Sequence, residues 1–106
     1  MSVQEVFGPV VCVYAVNDLQ HALDHANSLP FAFQASIFTQ DIDRALQLSN
    51  EIDAATVMIN DHTAFRVDGM PFAGLKHSGL GIGGIPYTMH DMQIEKMRVI
   101  RSSGLV

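Results

Sequence analysis

The sequence predicts an α/β fold with a small, mostly parallel sheet, two crossover helices, a long Gly-rich loop and a C-terminal edge strand. Between residues 10 and 59, short apolar runs alternate with two amphipathic segments, as is typical of parallel strands joined by helices. Residues 60–86 are instead rich in Gly, Pro and polar residues. Of the 106 residues, 48% are hydrophobic and 16% are charged, which predicts a single globular domain spanning 1–106.

The first strand is predicted at residues 10–16, VVCVYAV, because a short unbroken apolar run is typical of a strand buried on both faces. Asn17 is the expected N-cap of the helix that follows, with Gln20 in the capping-box position. Apolar residues then recur at helical spacing: Leu19, Ala22, Leu23 and Ala26. Pro30 ends this first helix, because proline interrupts helical hydrogen bonding.

The second strand is predicted at 34–38, QASIF, and the third at 56–59, TVMI. Between them, the spacing predicts a helix from about Asp41 to Ile52. One face of this helix contains Ile42, Ala45, Leu46 and Ser49. A crossover of this length implies that the strands it joins are parallel and that the connection is right-handed.

The remainder of the chain predicts less regular structure. Residues 60–86 form a long functional loop, and a short helix covers Tyr87 to Met92. Residues 96–101, KMRVIR, alternate in part and indicate a last strand at a sheet edge. Three apolar strands need cover on both faces, and two helices supply too little of it. We therefore expect other copies of the chain or a partner to complete the fold.

Charge and hydropathy exclude two classes of partner. The formal net charge is −5 and the six Lys and Arg residues are scattered, whereas nucleic-acid-binding proteins present a basic face. The longest apolar run, Val10 to Val16, is far shorter than the roughly 20 residues of a membrane span. The opening residues predict no secretory signal, and the single Cys12 excludes an internal disulfide. We therefore expect a cytoplasmic protein that binds neither nucleic acid nor membrane.

Five segments carry a resemblance to a known family. They are EVFGPV at 5–10, HAN at 25–27, PFAFQASIFT at 30–39, DAATVMIN at 53–60 and MPFAGLKHSGLG at 70–81. In this order and spacing, they are similar to motifs in the C-terminal part of the catalytic domain of aldehyde dehydrogenases. The similarity covers nearly the whole chain.

The resemblance implies a parent oxidoreductase that uses NAD or NADP. In that family the nucleophilic cysteine and the Rossmann-like domain both lie upstream of the EVFGPV segment. We therefore expect these 106 residues to have no activity and to bind no cofactor when alone.

Three functions are compatible with this resemblance. The first hypothesis is a non-catalytic, stand-alone fragment that self-associates as a homo-oligomer through open sheet edges. The alternative is part of a split or cut aldehyde dehydrogenase, which needs an N-terminal partner carrying the catalytic cysteine and the Rossmann domain. A third option is a regulator that joins full-length relatives and blocks their assembly.

By the same resemblance, two residues correspond to contacts with the nicotinamide end of the cofactor. Glu5 matches the glutamate that accepts hydrogen bonds from the ribose hydroxyls. Phe7 matches the aromatic residue that packs beside the nicotinamide ring. For the short chain alone, we interpret both as vestigial cofactor contacts.

Three further residues, Phe65, Arg66 and Phe72, resemble positions of the family's substrate pocket. An arginine at this place can bind the anionic tail of an aldehyde, because its planar guanidinium offers two parallel donors. For the two phenylalanines, packing in a core or an interface is the favoured alternative. For Arg66, the alternative is a solvated loop residue paired with Asp68.

Several other motifs are interpreted as structural. Cys12 lies after the EVFGPV segment in a predicted buried strand, so it is expected to pack in the core. Residues 79–84, GLGIGG, formally match the dinucleotide motif GXGXXG, but that motif requires a preceding strand and a following helix. These glycines are expected to permit turns with positive φ. His21 and His25 share a helix face, but zinc needs a further ligand, so no metal site is predicted.

Four positions depart from the family pattern, and Phe33 replaces a leucine at one of them. Ala32, Ala55 and Ala73 stand where the family has glycine. The added methyl groups are tolerable only if φ is negative and space exists at each position.

Overall fold

The computed structural model describes residue 4 and residues 6–104. In chain order its elements are α1 (Leu19–Asn27), β1 (Phe31–Ala32), β2 (Gln34–Ile37), α2 (Ile42–Glu51), β3 (Thr56–Ile59), β4 (Phe72–Ala73), β5 (Leu75–Lys76), β6 (Ile82–Gly83) and α3 (Ile85–Asp91). The described elements mix helices with short strands, which confirms the α/β class. The strands form three two-stranded sheets in place of the single, mostly parallel sheet that was predicted.

The β2–α2–β3 unit confirms the central prediction. β2 and β3 are parallel and pair in register from Gln34 with Thr56 to Ile37 with Ile59. The predicted helix is present, and Asp41 is its N-cap because its side chain accepts a hydrogen bond from the Arg44 backbone N–H at 3.0 Å.

The first helix begins one residue later than its predicted cap implied. Asp18, not Asn17, is the N-cap of α1, and its Oδ1 accepts a hydrogen bond from the Gln20 backbone N–H at 3.2 Å. A carboxylate and an amide suit this position almost equally, so the sequence alone did not separate the two neighbours. Leu23, which was predicted on the apolar face, is the buried residue of α1.

Two predicted strands are wrong for the described chain. Residues 10–16 and 96–101 belong to no strand, and their side chains are exposed. A strand requires a neighbour that supplies backbone hydrogen bonds, and neither segment has one within the described residues. The predicted burial of Cys12 is wrong for the same reason, because its thiol is exposed.

The predicted long loop contains three short strands. β1 pairs with β5 and β4 pairs with β6, both antiparallel. Gly81 and Gly84 have φ values of 74° and 118°, which confirms the expectation of positive φ for two of the four glycines in residues 79–84. The last helix begins two residues before its predicted start, because Pro86 fits the first turn of a helix, where no N–H donor is needed.

The interior is small. Its buried hydrophobic residues are Leu23, Ala32, Ala45, Leu48 and Met58. The radius of gyration is 20.6 Å, with extents of 74 × 34 × 24 Å, whereas a compact domain of this length has about 13 Å. The accessible surface is 8986 Å², against about 5,800 Å² for a compact monomer of this mass. The chain therefore exposes much surface that a complete domain would bury.

Within the described residues, no helix combines the length and the apolar character that crossing a membrane requires.

Candidate functional site

Two of the three predicted substrate-pocket residues lie together. The Arg66 guanidinium carbon is 4.4 Å from the centroid of the Phe72 ring. Phe72 also packs against Phe33, whose ring meets it edge to face with centroids 5.0 Å apart and planes at 87°. Phe72 lies on β4, so a strand and a neighbouring aromatic ring fix the surface on which Arg66 rests. We refer to these two residues as the Arg66–Phe72 pair.

The Arg66–Phe72 pair places a cation on the face of an aromatic ring. A guanidinium over an aromatic face is held by cation–π attraction while the edges that carry its N–H donors stay free to bind. The alternative pairing of Arg66 with Asp68 is not among the ion pairs formed within residues 6–104. Arg66 and Asp68 both line a cavity of about 480 Å³ that runs along α3 from Gly84 to Met92. This cavity therefore has one cationic and one anionic side chain in its lining.

Phe65 is not part of this contact. Its side chain is 46% exposed, and its backbone N–H donates to the His62 carbonyl at 3.2 Å. The aromatic pairs formed within the described chain do not include Phe65. Phe65 and Phe72 therefore form no ring pair within the described residues.

A larger cavity of about 760 Å³ also borders Phe72. Its aromatic lining is Phe31, Phe33, Phe72 and His77. Sequence reasoning did not select Phe31 or Phe33. The one signal in the sequence was the segment PFAF at 30–33, where two aromatic residues stand two apart on what proved to be a strand and its flank.

The 72–79 loop, which contains Phe72, is hydrogen-bonded to β1 and to the residue before it. The Ala32 backbone N–H donates to Ser78 Oγ at 3.0 Å, and the His77 N–H donates to the Pro30 carbonyl at 3.0 Å. Gly74 lies so close to Ser78 that a Cβ would be 2.5 Å from the Ser78 carbonyl carbon and oxygen. Only glycine fits there, so the loop is a tight turn.

Lys76 is the functional candidate that sequence reasoning missed. Its Nζ lies 2.7 Å from Asp53 Oδ2 and donates to the Asn27 carbonyl at 2.7 Å and to the Leu29 carbonyl at 3.2 Å. We call these four residues the Lys76 cluster. The Asn27 side chain extends it, because Nδ2 donates to the Glu51 carbonyl and Oδ1 accepts from the Asp53 N–H, both at 2.8 Å. α1, the end of α2, the start of β3 and the 72–79 loop therefore meet at one point.

Only one of the two residues that resemble cofactor contacts is described by the structure. Glu5 falls outside the described residues. Phe7 is 91% exposed.

The GLGIGG run does not have the architecture of a dinucleotide site. β6 lies within it and pairs antiparallel with β4. A helix does follow, because α3 begins at Ile85, but it has only seven residues and no crossover to a parallel strand in the described chain. The βαβ arrangement that aims a helix N-terminus at a pyrophosphate is therefore missing from this run.

The histidines give no metal centre in the described chain. His25 packs edge-on against Tyr14 with ring centroids 4.8 Å apart. No group of three or more His, Cys, Asp or Glu side chains with metal-binding geometry occurs between residues 6 and 104.

The three alanines that stand where the family has glycine have the negative φ that an added methyl group requires. Among the described non-glycine residues, only Asn60 and Lys76 have positive φ. Ala32, Ala55 and Ala73 therefore adopt backbone conformations open to any L-residue. The methyl group of Ala32 is accommodated in the interior, where the residue is buried.

Comparison with known proteins agrees with this geometry. The sequence profile of the Aldehyde dehydrogenase family matches residues 1–97. A lactaldehyde dehydrogenase of Methanococcus aeolicus is 40% identical over 98 residues, which are 92% of this chain and 21% of that protein. The chain therefore spans about one fifth of the length of such relatives.

Solved structures match in three dimensions. Aldehyde dehydrogenase 21 from Physcomitrella patens, crystallised with the reaction product succinate, has a TM-score of 0.88 at 36% identity, and the match covers 98% of this chain and 22% of that one. The NADP-dependent glyceraldehyde-3-phosphate dehydrogenase from Bacillus halodurans, complexed with NADP, has a TM-score of 0.79 at 40% identity, with coverages of 83% and 18%. By its sequence profile, its identity to these relatives and its three-dimensional structure, the chain belongs to the aldehyde dehydrogenase family.

Proposed function

We propose that this chain is the substrate-lining, C-terminal part of the catalytic domain of an NAD(P)-dependent aldehyde dehydrogenase. In this proposal the remainder of the enzyme, in the same polypeptide or a separate one, supplies the nucleophilic cysteine and the dinucleotide-binding domain. The 106 residues have no dehydrogenase activity without that remainder.

The observation that carries the proposal is the large exposed apolar surface. Large hydrophobic side chains are exposed along the chain from Val6 to Ile100. The accessible area of 8986 Å² exceeds that of a compact monomer by roughly 3,000 Å². A standard protein–protein contact covers only about 800 Å² per partner. The excess is therefore on the scale of an interrupted domain core.

The agreement with the Physcomitrella enzyme indicates what would bury this surface, namely the rest of a dehydrogenase. The chain matches it with a TM-score of 0.88 over 98% of its length, while the match covers only 22% of that enzyme. An extended shape of 74 Å is thus the shape that the matching segment has within a much larger chain. This supports completion by the rest of a dehydrogenase.

We further propose that the substrate is an aldehyde with an anionic group. The support is the Arg66–Phe72 pair, in which cation–π packing orients a guanidinium beside an open cavity. The names of the two solved relatives above refer to anionic compounds, glyceraldehyde 3-phosphate and the product succinate. Phe72 lines the larger cavity of about 760 Å³ and would supply an apolar surface there.

The proposed cofactor, NAD or NADP, is held mainly by the missing dinucleotide-binding domain. When bound, it accepts the hydride in aldehyde oxidation. From this chain, Glu5 would accept hydrogen bonds from the nicotinamide ribose and Phe7 would pack beside the ring. A reducing cytoplasm is the proposed compartment, consistent with a single cysteine in the sequence.

Self-association without catalysis is the second candidate function. Each two-stranded sheet leaves unpaired edges in the described chain, and residues 10–16 and 96–101 are exposed, rich in apolar side chains and outside any strand. Such segments can add to the sheet edges of another copy. In this case the apolar surface would be covered by homo-oligomer contacts.

One experiment separates the two candidates. The chain is co-expressed with the Methanococcus aeolicus lactaldehyde dehydrogenase lacking its matching C-terminal fifth, and we call the product the reconstituted pair. Formation of reduced nicotinamide is measured with lactaldehyde and with glyceraldehyde 3-phosphate, and each half alone is the control. We expect turnover only when both halves are present. Failure of the halves to co-purify, or co-purification without turnover, would contradict the enzyme proposal.

A further inference from the structure

We propose that Lys76 is a positioning residue that fixes the substrate-lining Arg66–Phe72 pair relative to the rest of the domain. The Lys76 cluster ties the 72–79 loop to the carboxyl end of α1 and to Asp53 before β3. The part of this inference that concerns the substrate rests on the proposed function.

The ammonium group is fully used by its surroundings. A lysine ammonium has three N–H donors, and the cluster offers three acceptors, at 2.7, 2.7 and 3.2 Å. One of them, the carbonyl of Asn27, belongs to the last residue of α1, where helix carbonyls lack intrahelical partners and the helix dipole favours a cation. The other carbonyl, of Leu29, follows two residues later. Lys76 therefore caps α1 from a segment 49 residues further along the chain.

The backbone of Lys76 supports a specific role for its side chain. Its φ is 53°, in the left-handed region where a Cβ is sterically disfavoured and glycine is not. A lysine in a surface turn without such contacts would pay the steric cost of this conformation with nothing to offset it. Here the left-handed backbone coincides with a side chain whose three donors are satisfied.

The turn around Gly74 couples the placement of Lys76 to that of Phe72. Gly74 separates β4 from β5 and has no room for a Cβ against Ser78, so the turn has little freedom to deform. Ser78 accepts the Ala32 N–H, next to Phe33, whose ring packs on Phe72. Release of Lys76 is therefore expected to loosen both β4 and the surface beneath Arg66.

The first test measures amide hydrogen exchange of this chain, either alone or in the reconstituted pair. The variants are Lys76→Met, which keeps the length and removes the charge, and Lys96→Met as the matched control on an exposed segment. We expect about tenfold faster exchange of the His77 amide in Lys76→Met only, with the β2–β3 amides unchanged. Equal His77 protection in both variants would overturn the positioning role.

Kinetics of the reconstituted pair supply the second test. Loss of positioning should raise KM for the anionic aldehyde about tenfold and change kcat less than about twofold, because ground-state and transition-state binding weaken together. Lys76→Arg should recover part of the loss by keeping a cation. Wild-type kinetics in Lys76→Met would contradict the inference.

Two further outcomes are informative. If Lys76→Met is insoluble, Asp53→Asn removes only the ion-pair partner and should change His77 exchange in the same direction by a smaller factor; no change would overturn the inference. If the wild-type pair has no turnover, the proposed function fails, and the exchange experiment still decides the role of Lys76.

Discussion

The side-chain amide of Asn60 binds both backbone polar groups of Thr39. Its Oδ1 accepts the Thr39 N–H at 2.9 Å, and its Nδ2 donates to the Thr39 carbonyl at 2.9 Å. Asn60 follows β3 directly and has a φ of 58°, a conformation that asparagine tolerates better than most residues. The two hydrogen bonds join the carboxyl ends of β2 and β3, where the chain leaves the sheet for α2 and for the long loop.

Two substitutions of Asn60 should therefore separate the contribution of its side-chain hydrogen bonds to stability from the cost of its backbone strain. Asn60→Ala loses two hydrogen bonds and places a Cβ-bearing residue without compensation in the left-handed region, at a combined cost of about 3 kcal/mol. Asn60→Gly loses the same bonds without the strain and should be more stable than the alanine variant by about 1 kcal/mol. Urea unfolding followed by circular dichroism measures both. An alanine variant as stable as the glycine variant would show that the strain is absent.

Gly74→Ala should disrupt the 72–79 loop. The new Cβ would lie 2.5 Å from backbone atoms of Ser78 and 2.8 Å from the Gly79 nitrogen, so the turn must open. We expect a loss of about 2 kcal/mol in stability, as for other overpacked sites. Gly69→Ala is the control, because nothing lies within 4 Å of the place that its new methyl group would take. Similar melting temperatures for the two variants would contradict the described turn.

Arg66→Gln should reduce the preference for anionic aldehydes. A charge-assisted hydrogen bond contributes about 1.5–3 kcal/mol, so KM for glyceraldehyde 3-phosphate should rise about 10- to 100-fold. The KM for lactaldehyde, which lacks the phosphate, should change little. Arg66→Lys should give an intermediate value because lysine keeps the charge without the planar pair of donors. An equal rise for both aldehydes in the reconstituted pair would argue against anion recognition.

The two leucines of α2 provide a test of where the interior lies. Leu48 is 7% exposed, whereas Leu46 on the same helix is 51% exposed. Leu48→Ala should cost about 2–4 kcal/mol through lost burial and a residual cavity. Leu46→Ala should cost less than about 1 kcal/mol in the chain alone. If the second half covers Leu46 in the reconstituted pair, Leu46→Ala should lower the stability of the pair by more than it lowers the stability of the isolated chain. Urea unfolding of both preparations measures this difference.

The local parts of the fold could be predicted from the sequence. β2, α2 and β3 agree within one or two residues because their patterns and the Asp41 cap act within a few residues of each element. The strands predicted at 10–16 and 96–101 are absent from the described chain because strand formation depends on a neighbour, and periodicity cannot say whether that neighbour lies within the chain.

The candidate site was predictable only in part. The family resemblance selected Arg66 and Phe72, which do lie together. It did not lead to Lys76, because no local pattern signals that a lysine in a turn reaches carbonyls 47 and 49 residues earlier in the chain. Contacts of this kind depend on the tertiary arrangement of α1, β3 and the loop.

The most direct test of the central claim is light scattering on the reconstituted pair and on the chain alone over a range of concentrations. If the rest of a dehydrogenase covers the apolar surface, the two halves should elute as one complex of equal stoichiometry, and binding of a hydrophobic dye should fall on assembly. If the chain instead forms a homo-oligomer of fixed mass that excludes the second half, its apolar surface belongs to self-association and the account of an enzyme part is wrong.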